Sequence, residues 1–369
     1  GFQSDKNYAQ AEKWYTRITK DHPDSELATS SSFWRAEMAY AKVIQQEKTQ
    51  VLDSNSIKVL VKHYQKYINK NDNEHLALAY YRIGVLQRSH QSNQSISAFN
   101  EYIATKDDTY LNEVLYQLGY LYIETKLHKN AINSFEEYLS KGYKTHADEV
   151  QYQLGILYIK TKQPRKAIAV YGQYLSGEVK EHSAVTQLSM GLLYLETKQP
   201  FLALAAFENA RQYSQYRQNI ELIQTLKVLY QETASEAKYI KFLKEVAADS
   251  KLTENVRHEF QTKLLLKYYD QNNCGKFISE LGKNSNYLKY SKNSNIDEWH
   301  HFLFLRGSCH FEEQRWSEAL TDLREVKNNG KYREQSISMI LEALKQMEDW
   351  KSLTWELQDV FESESPSMT

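Results

Sequence analysis

Residues 116–139 read YQLGYLYIETKLHKNAINSFEEYL, and residues 152–175 read YQLGILYIKTKQPRKAIAVYGQYL. The two stretches share 13 of 24 residues without a gap, and a third copy, LSMGLLYLETKQPFLALAAFENAR, occupies 188–211. Each copy starts 36 residues after the last. A fixed period of this length marks stacked supersecondary units, none of which can bury its apolar face alone. Within the second copy Leu154, Leu157 and Tyr158 follow helical spacing, as do Ala167, Ile168, Tyr171, Tyr174 and Leu175. Between them KTKQP breaks the pattern. Pro164, and Pro200 one period later, stand where a second helix begins, the position at which the missing N–H of proline is harmless. Each unit therefore reads as helix, short turn, helix.

Small residues recur in register. Gly119, Gly155 and Gly191 lie 36 apart, and Ala131, Ala167 and Ala203 follow them at a constant offset of twelve, on the partner helix. Four residues after each alanine stands Phe135, Tyr171 or Phe207, one helical turn on and on the same face. A glycine inside a helix costs about 1 kcal/mol against alanine, so three in register call for a packing reason. The arrangement predicts two closely approaching helices, with the ring filling the space left by the small residues.

This pattern of Leu-Gly or Met-Gly, tyrosine three later, alanine twelve after the glycine and then a ring resembles the tetratricopeptide repeat. Weaker matches supply Gly84 with Phe99, and Gly307 with Ala319 and Leu323. The opening segment, with Ala11, Tyr15, Ile18 and Pro23, resembles a second helix alone, so the sequence is expected to begin inside a repeat. The resemblance implies an all-α solenoid of helical hairpins wound as a right-handed superhelix. It divides the chain into an array over 1–213, strongest over 76–211, and degenerate helical repeats or an insert over 214–296. A C-terminal repeat with capping helices follows over 297–361, and a flexible tail over 362–369. In the middle region GKNSNYLKYSKNSN, starting at Gly282, reads as the best internal loop.

The whole chain bounds the function. It has 369 residues, 41% hydrophobic and 25% charged, which suits a folded protein rather than a disordered one. A formal net charge of −1 supplies no general basic field for nucleic acid or an anionic membrane surface. No apolar run approaches a membrane span of roughly 20 residues. Cys274 and Cys309 are the sole cysteines; they can pair, but a chain this rich in aromatics does not require it, and Cys309 reads as a small core residue. No phosphate loop, nucleophile elbow or HExxH motif is present, so neither a catalytic residue nor a cofactor is expected. His300, His301 and His310 lack the spacing of a metal site, and His310 replaces the tyrosine that stands three after glycine elsewhere.

The first helices carry a second row, three before, one after and four after each glycine. Three before gives Tyr81, Tyr116, Tyr152 and Leu188; one after gives Val85, Tyr120, Ile156 and Leu192; four after gives Arg88, Ile123, Ile159 and Leu195. In tetratricopeptide repeats this row lines the concave surface, which implies a partner-binding groove here at Tyr81, Tyr116, Tyr120, Tyr152, Ile156, Leu188 and Leu192. The same row also suits contacts with a neighbouring repeat or cover by the chain's own C-terminal helices. It lacks the Lys, Arg and Asn set with which some such domains hold a C-terminal carboxylate. The resemblance implies a non-enzymatic scaffold that holds a helix or an extended apolar peptide of a protein partner. The opening segment is similar to bacterial cell-envelope proteins of outer-membrane assembly, export or flagellar-motor machinery, and tilts the location toward the periplasm. A different reading makes the chain the regulatory or substrate-recruiting region of an enzyme whose catalytic domain lies upstream.

Overall fold

The computed structural model describes residues 8–23, 25–46, 54–70, 74–178, 181–283 and 285–364, and among them every regular element is a helix. The chain forms two compact units, Gly1–Ala210 and Arg211–Thr369. The first holds α1 (Tyr8–Asp21), α2 (Glu26–Gln46), α3 (Ser54–Ile68), α4 (Leu76–Gln87), α5 (Ser92–Ala104), α6 (Leu111–Glu124), α7 (His128–Ser140), α8 (Ala147–Lys160), α9 (Pro164–Ser176), α10 (Ser183–Glu196) and α11 (Pro200–Arg211). The second holds α12 (Ser214–Arg217), α13 (Ile220–Thr233), α14 (Glu236–Ala247), α15 (Glu254–Asp270), α16 (Cys274–Lys283), α17 (Ser285–Ser294), α18 (Ile296–Glu312), α19 (Trp316–Val326), α20 (Arg333–Gln346) and α21 (Trp350–Glu364).

Neighbouring helices pack as hairpins, α4 on α5, α6 on α7, α8 on α9 and α18 on α19. The repeated glycine explains how closely. A Cβ placed on Gly119 would lie 2.1 Å from Phe135, on Gly155 2.1 Å from Tyr171, and on Gly191 2.4 Å from Phe207. Gly84 meets Phe99 at 2.4 Å in the same way, and Gly307 meets Leu323 at 2.9 Å. The second-helix side chain occupies the volume that a first-helix side chain would need. Ala131, Ala167, Ala203 and Ala319 are fully buried beside these contacts. In the α4–α5 hairpin Ser95 stands in the alanine's place and donates its hydroxyl to the Gly84 carbonyl at 2.7 Å.

The hairpins α6–α7, α8–α9 and α10–α11 also share one turn. Lys126, Lys162 and Lys198 have φ of 61°, 56° and 59°, the left-handed conformation that closes a helix. The next residue donates its N–H back across the turn: Leu127 to Tyr122 at 2.8 Å, Gln163 to Tyr158 at 2.8 Å, Gln199 to Tyr194 at 2.7 Å. The second unit repeats the device at Asn272, Gln314 and Glu348. Asn273 there bonds to Tyr268, Arg315 to His310 and Asp349 to Leu344. The α15–α16 hairpin is thus closed like the strong repeats although its sequence no longer resembles them.

Two readings of the second unit need correction. The polar stretch after Gly282 is mostly helix, α17, not a loop. Its Tyr287 and Ser291, one turn apart, are buried, and Tyr287 stacks on His258 at 4.4 Å. Two buried side chains on one face outweigh a composition that favours turns. Cys309 is not merely a packing residue, for it forms a disulfide with Cys274 at a Cα separation of 5.2 Å, joining α16 to α18. In the last helix Leu353 packs against the apolar core of α19 and α20, while Trp350, Leu357 and Phe361 are exposed. Buried Glu356 in the same helix accepts from Arg324 at 2.8 Å and Lys327 at 2.9 Å. Of the tail, 362–364 belong to α21 and 365–369 lie outside the described residues.

Gly155→Leu is expected to destabilise the first unit by about 1–3 kcal/mol, because the ring of Tyr171 fills the site. Gly172→Leu, in α9 with open space at its Cβ position, is expected to gain about 0.5–1 kcal/mol of helix propensity. Chemical unfolding of the two variants measures both; equal effects would show that the glycine contact is not what sets the helix spacing.

Candidate partner-binding face

The row on the first helices is half open. Tyr81, Tyr116, Tyr152 and Leu188 are each half-buried, as are Val85, Tyr120, Ile156 and Ile123. Exposure rises toward the end of the row: Ile159 is 40% exposed, Leu192 57% and Leu195 37%. Arg88 is exposed too.

The tyrosines of this row have a second occupation, which joins one hairpin to the next. The residue just before each following first helix lays its ring on them. Tyr110 stacks on Tyr81 with ring centroids 4.3 Å apart, His146 on Tyr116 at 4.2 Å, and His182 on Tyr152 at 4.0 Å. His75 lies on Phe33 in the same manner at 4.3 Å. The backbone N–H of each stacked residue donates to a buried tyrosine hydroxyl of the preceding second helix. His75 bonds to Tyr67 at 3.0 Å, Tyr110 to Tyr102 at 2.8 Å, His146 to Tyr138 at 3.1 Å and His182 to Tyr174 at 2.9 Å. Tyr67, Tyr102, Tyr138 and Tyr174 are almost completely buried. A ring stack and a backbone hydrogen bond at one residue form a clasp. In sequence its signature is a tyrosine followed eight residues later by histidine or tyrosine, a signal that a search centred on the glycine passes over.

The clasp uses one ring face of Tyr81, Tyr116 and Tyr152 within the molecule. Tyr120 is tied differently. It meets Tyr116 edge-on at 5.0 Å and Phe135 edge-on at 5.7 Å. Its hydroxyl donates to Glu149 of the next first helix at 2.6 Å. Burial, and then that carboxylate, push the Tyr120 phenol well above its ordinary pKa. Glu149 also accepts from the Gln153 amide at 3.0 Å and lies 3.8 Å from the His182 ring nitrogen. At the other end of the row Glu37 is held by both arms of Arg82 at 3.1 Å, and the guanidinium lies 4.4 Å from the centre of the Tyr40 ring.

The histidines of the second unit are structural in their contacts. His301 Nδ1 is 2.9 Å from the Tyr332 hydroxyl and His300 Nδ1 is 3.1 Å from the Asn329 amide. Burial lowers the pKa of both His301 and His310. Among the described residues no three His, Cys, Asp or Glu side chains are grouped to hold a metal ion, and no helix is long and apolar enough to cross a membrane.

Residues 113–140 and 149–176 each match the tetratricopeptide repeat family. No curated protein matches the sequence. Among solved structures, one similar fold is YrrB, described as a TPR protein with an unusual peptide-binding site. It is 17% identical over 57% of this chain and 99% of its own, with a TM-score of 0.37. The C-terminal part of a TPR repeat-containing protein from Cytophaga hutchinsonii is 16% identical over 69% of this chain and 95% of its own, with a TM-score of 0.39. A tetratricopeptide repeat protein from Parabacteroides merdae is 13% identical over 79% of this chain and 100% of its own, with a TM-score of 0.32.

Tyr174→Phe deletes the acceptor of the His182 N–H and leaves the ring stack in place. The expected cost is about 1–2 kcal/mol, that of leaving a partly buried donor unpaired. Hydrogen exchange at the His182 amide should accelerate selectively. Unchanged protection at that amide would show that the hydroxyl does not hold the joint.

Proposed function

The chain is a tetratricopeptide-repeat protein, a protein–protein interaction scaffold by fold, and we propose that it holds an apolar or amphipathic segment of a partner along the first-helix row of residues 76–211. The observation that carries this reading is the exposed apolar run of Ile159, Leu192 and Leu195. These residues stand at matching register positions, one or four after the glycine, on α8 and α10. Large apolar side chains left in water at a repeating position are what a helix-binding groove offers. Tyr81, Tyr116, Tyr120, Tyr152, Ile156 and Leu188 form its floor: their half-buried rings and chains give area with little loss of side-chain freedom, because the clasp already orders three of the tyrosines.

The floor and the exposed run separate binding from stability. Replacing a clasp tyrosine weakens the joint between hairpins, whatever it does to a partner. Replacing an exposed leucine touches little within the chain.

The bacterial envelope, as part of an outer-membrane, export or flagellar-motor assembly, is the setting we favour. The Cys274–Cys309 bridge supports it, since disulfides persist in oxidising compartments such as the periplasm and are rare in the cytosol. The fold is in general a non-catalytic interaction module, and the role proposed here requires no chemistry of the chain.

Two measurements test these points. Leu192→Ser with Leu195→Ser should release the partner recovered with the wild-type chain from its native cell, with affinity falling by about 2 kcal/mol or more and the unfolding midpoint unchanged. Retention of the partner at wild-type affinity would remove the row as the binding face. Alkylation of the chain in freshly quenched native cells should leave Cys274 and Cys309 unmodified until a reductant is added. Labelling of both thiols beforehand would argue for a reducing compartment.

A further inference from the structure

Among the described residues two acidic side chains on the first-helix face have no lysine or arginine partner. Glu113 and Glu149 stand at one register position, six before the glycine, on α6 and α8. The Gln117 amide donates to Glu113. Glu149 is contacted by a phenol, an amide and an imidazole, as described above. Among the described residues no lysine or arginine pairs with either carboxylate, whereas Glu37 on the same face is neutralised by Arg82. Glu149 is partly buried, with its side chain 35% exposed, so its charge is reachable yet less screened than one in bulk water.

Two further observations agree in sign. Gln117 is only 6% exposed, and with its amide nitrogen on Glu113 its carbonyl oxygen has no partner among the described residues. That oxygen is buried, so it adds the negative end of an unpaired dipole beside Glu113 without itself being open to a partner. Phenols near these carboxylates feel a negative field: burial first, then Glu113, raises the pKa of Tyr81 on the row, and burial raises that of Tyr174 on α9, where the His182 N–H lowers it and Asp148, Glu149 and Glu181 add to the rise. Tyr116 and Tyr120 bring aromatic rings to the same spot, a surface to which a cation is attracted.

We propose that this face selects a cationic amphipathic segment of a protein partner, whose Lys or Arg side chains reach Glu113 and Glu149 while its apolar side chains cover Ile159, Leu192 and Leu195. The proposal rests on the interaction face argued above and adds the charge of its occupant. Nucleic acid and acidic peptides carry the wrong sign.

The test uses the full chain and three fluorescent peptides of about 18 residues, five helical turns. All share one leucine face; their polar positions are all Lys, all Gln or all Glu. Fluorescence anisotropy should rank Lys over Gln by about tenfold or more in Kd at low salt, with Glu weakest, and the gap should narrow in 0.5 M salt, where the Debye length is only about 4 Å. Glu113→Gln with Glu149→Gln keeps the acceptor for Tyr120 and should abolish the preference while leaving the Gln peptide's Kd and the thermal midpoint unchanged. A preference for Lys that survives this double variant overturns the proposal. Equal binding of all three peptides, each weakened by Leu192→Ser, overturns the charge selection and leaves the face standing. Absence of binding by all three overturns both.

Discussion

The contact between a glycine on one helix and a ring on its partner governs the four hairpins from α4 to α11. Where Gly119 or Gly155 lacks a Cβ, Phe135 or Tyr171 lies in its place. Within a hairpin, the spacing of the two helices is therefore set by the thickness of a ring rather than by interdigitating side chains. Between hairpins a different device operates. The tyrosine hydroxyl and the stacked histidine or tyrosine fix where the next first helix starts and in which direction it leaves. The first-helix row is what remains when these two sets of contacts are satisfied, and this is why its tyrosines are half-buried while Leu192 stands out.

Much of this was legible in the letters. Gly, Ala and ring at offsets of twelve and sixteen name the buried side of each hairpin, and Pro164 and Pro200 mark where second helices begin. The clasp was hidden because its stacking residues, His146 and His182, stand just before a helix and look like ordinary loop residues; only the contact across hairpins gives them a role. The left-handed lysines at 126, 162 and 198 were hidden for the opposite reason, since glycine or asparagine is the usual sign of that conformation and neither occurs there. The helix α17 was masked by asparagine and serine, because local composition cannot register the burial of Tyr287 and Ser291 by distant elements. Two cysteines 35 residues apart are compatible with a bridge or with none until α16 and α18 are set side by side.

The candidate face was legible in position and not in character. Helical register places Tyr116, Tyr120 and Tyr152 on one surface, and apolar letters alone suggest an oily groove. Charge enters through Glu113 and Glu149, six residues before the glycine, outside the row that the register singles out. Whether an acidic residue is neutralised depends on its neighbours in space. Glu37 and Glu149 are equivalent as letters and opposite as chemistry, one gripped by Arg82 and the other by uncharged donors and an imidazole.

The clasp also makes the array divisible. Each hairpin ends with a buried tyrosine hydroxyl awaiting an N–H, and the next begins with an N–H and a ring awaiting that tyrosine and the aromatic residue before it. Every joint from α5 to α10 thus presents the same two halves, Tyr102 with Tyr110, Tyr138 with His146, Tyr174 with His182. A block of 36 residues cut at equivalent points can be removed or copied and the flanking halves still meet as donor and acceptor, ring on ring. The hairpin of α4 and α5 spans 35 residues between Tyr67 and Tyr102 and still closes a clasp at each end, so a residue lost inside the hairpin leaves the joints intact. The joint, rather than an exact length, is thus what repeats, and a gene carrying it can add or remove whole hairpins along the first-helix row without designing a new interface at each one.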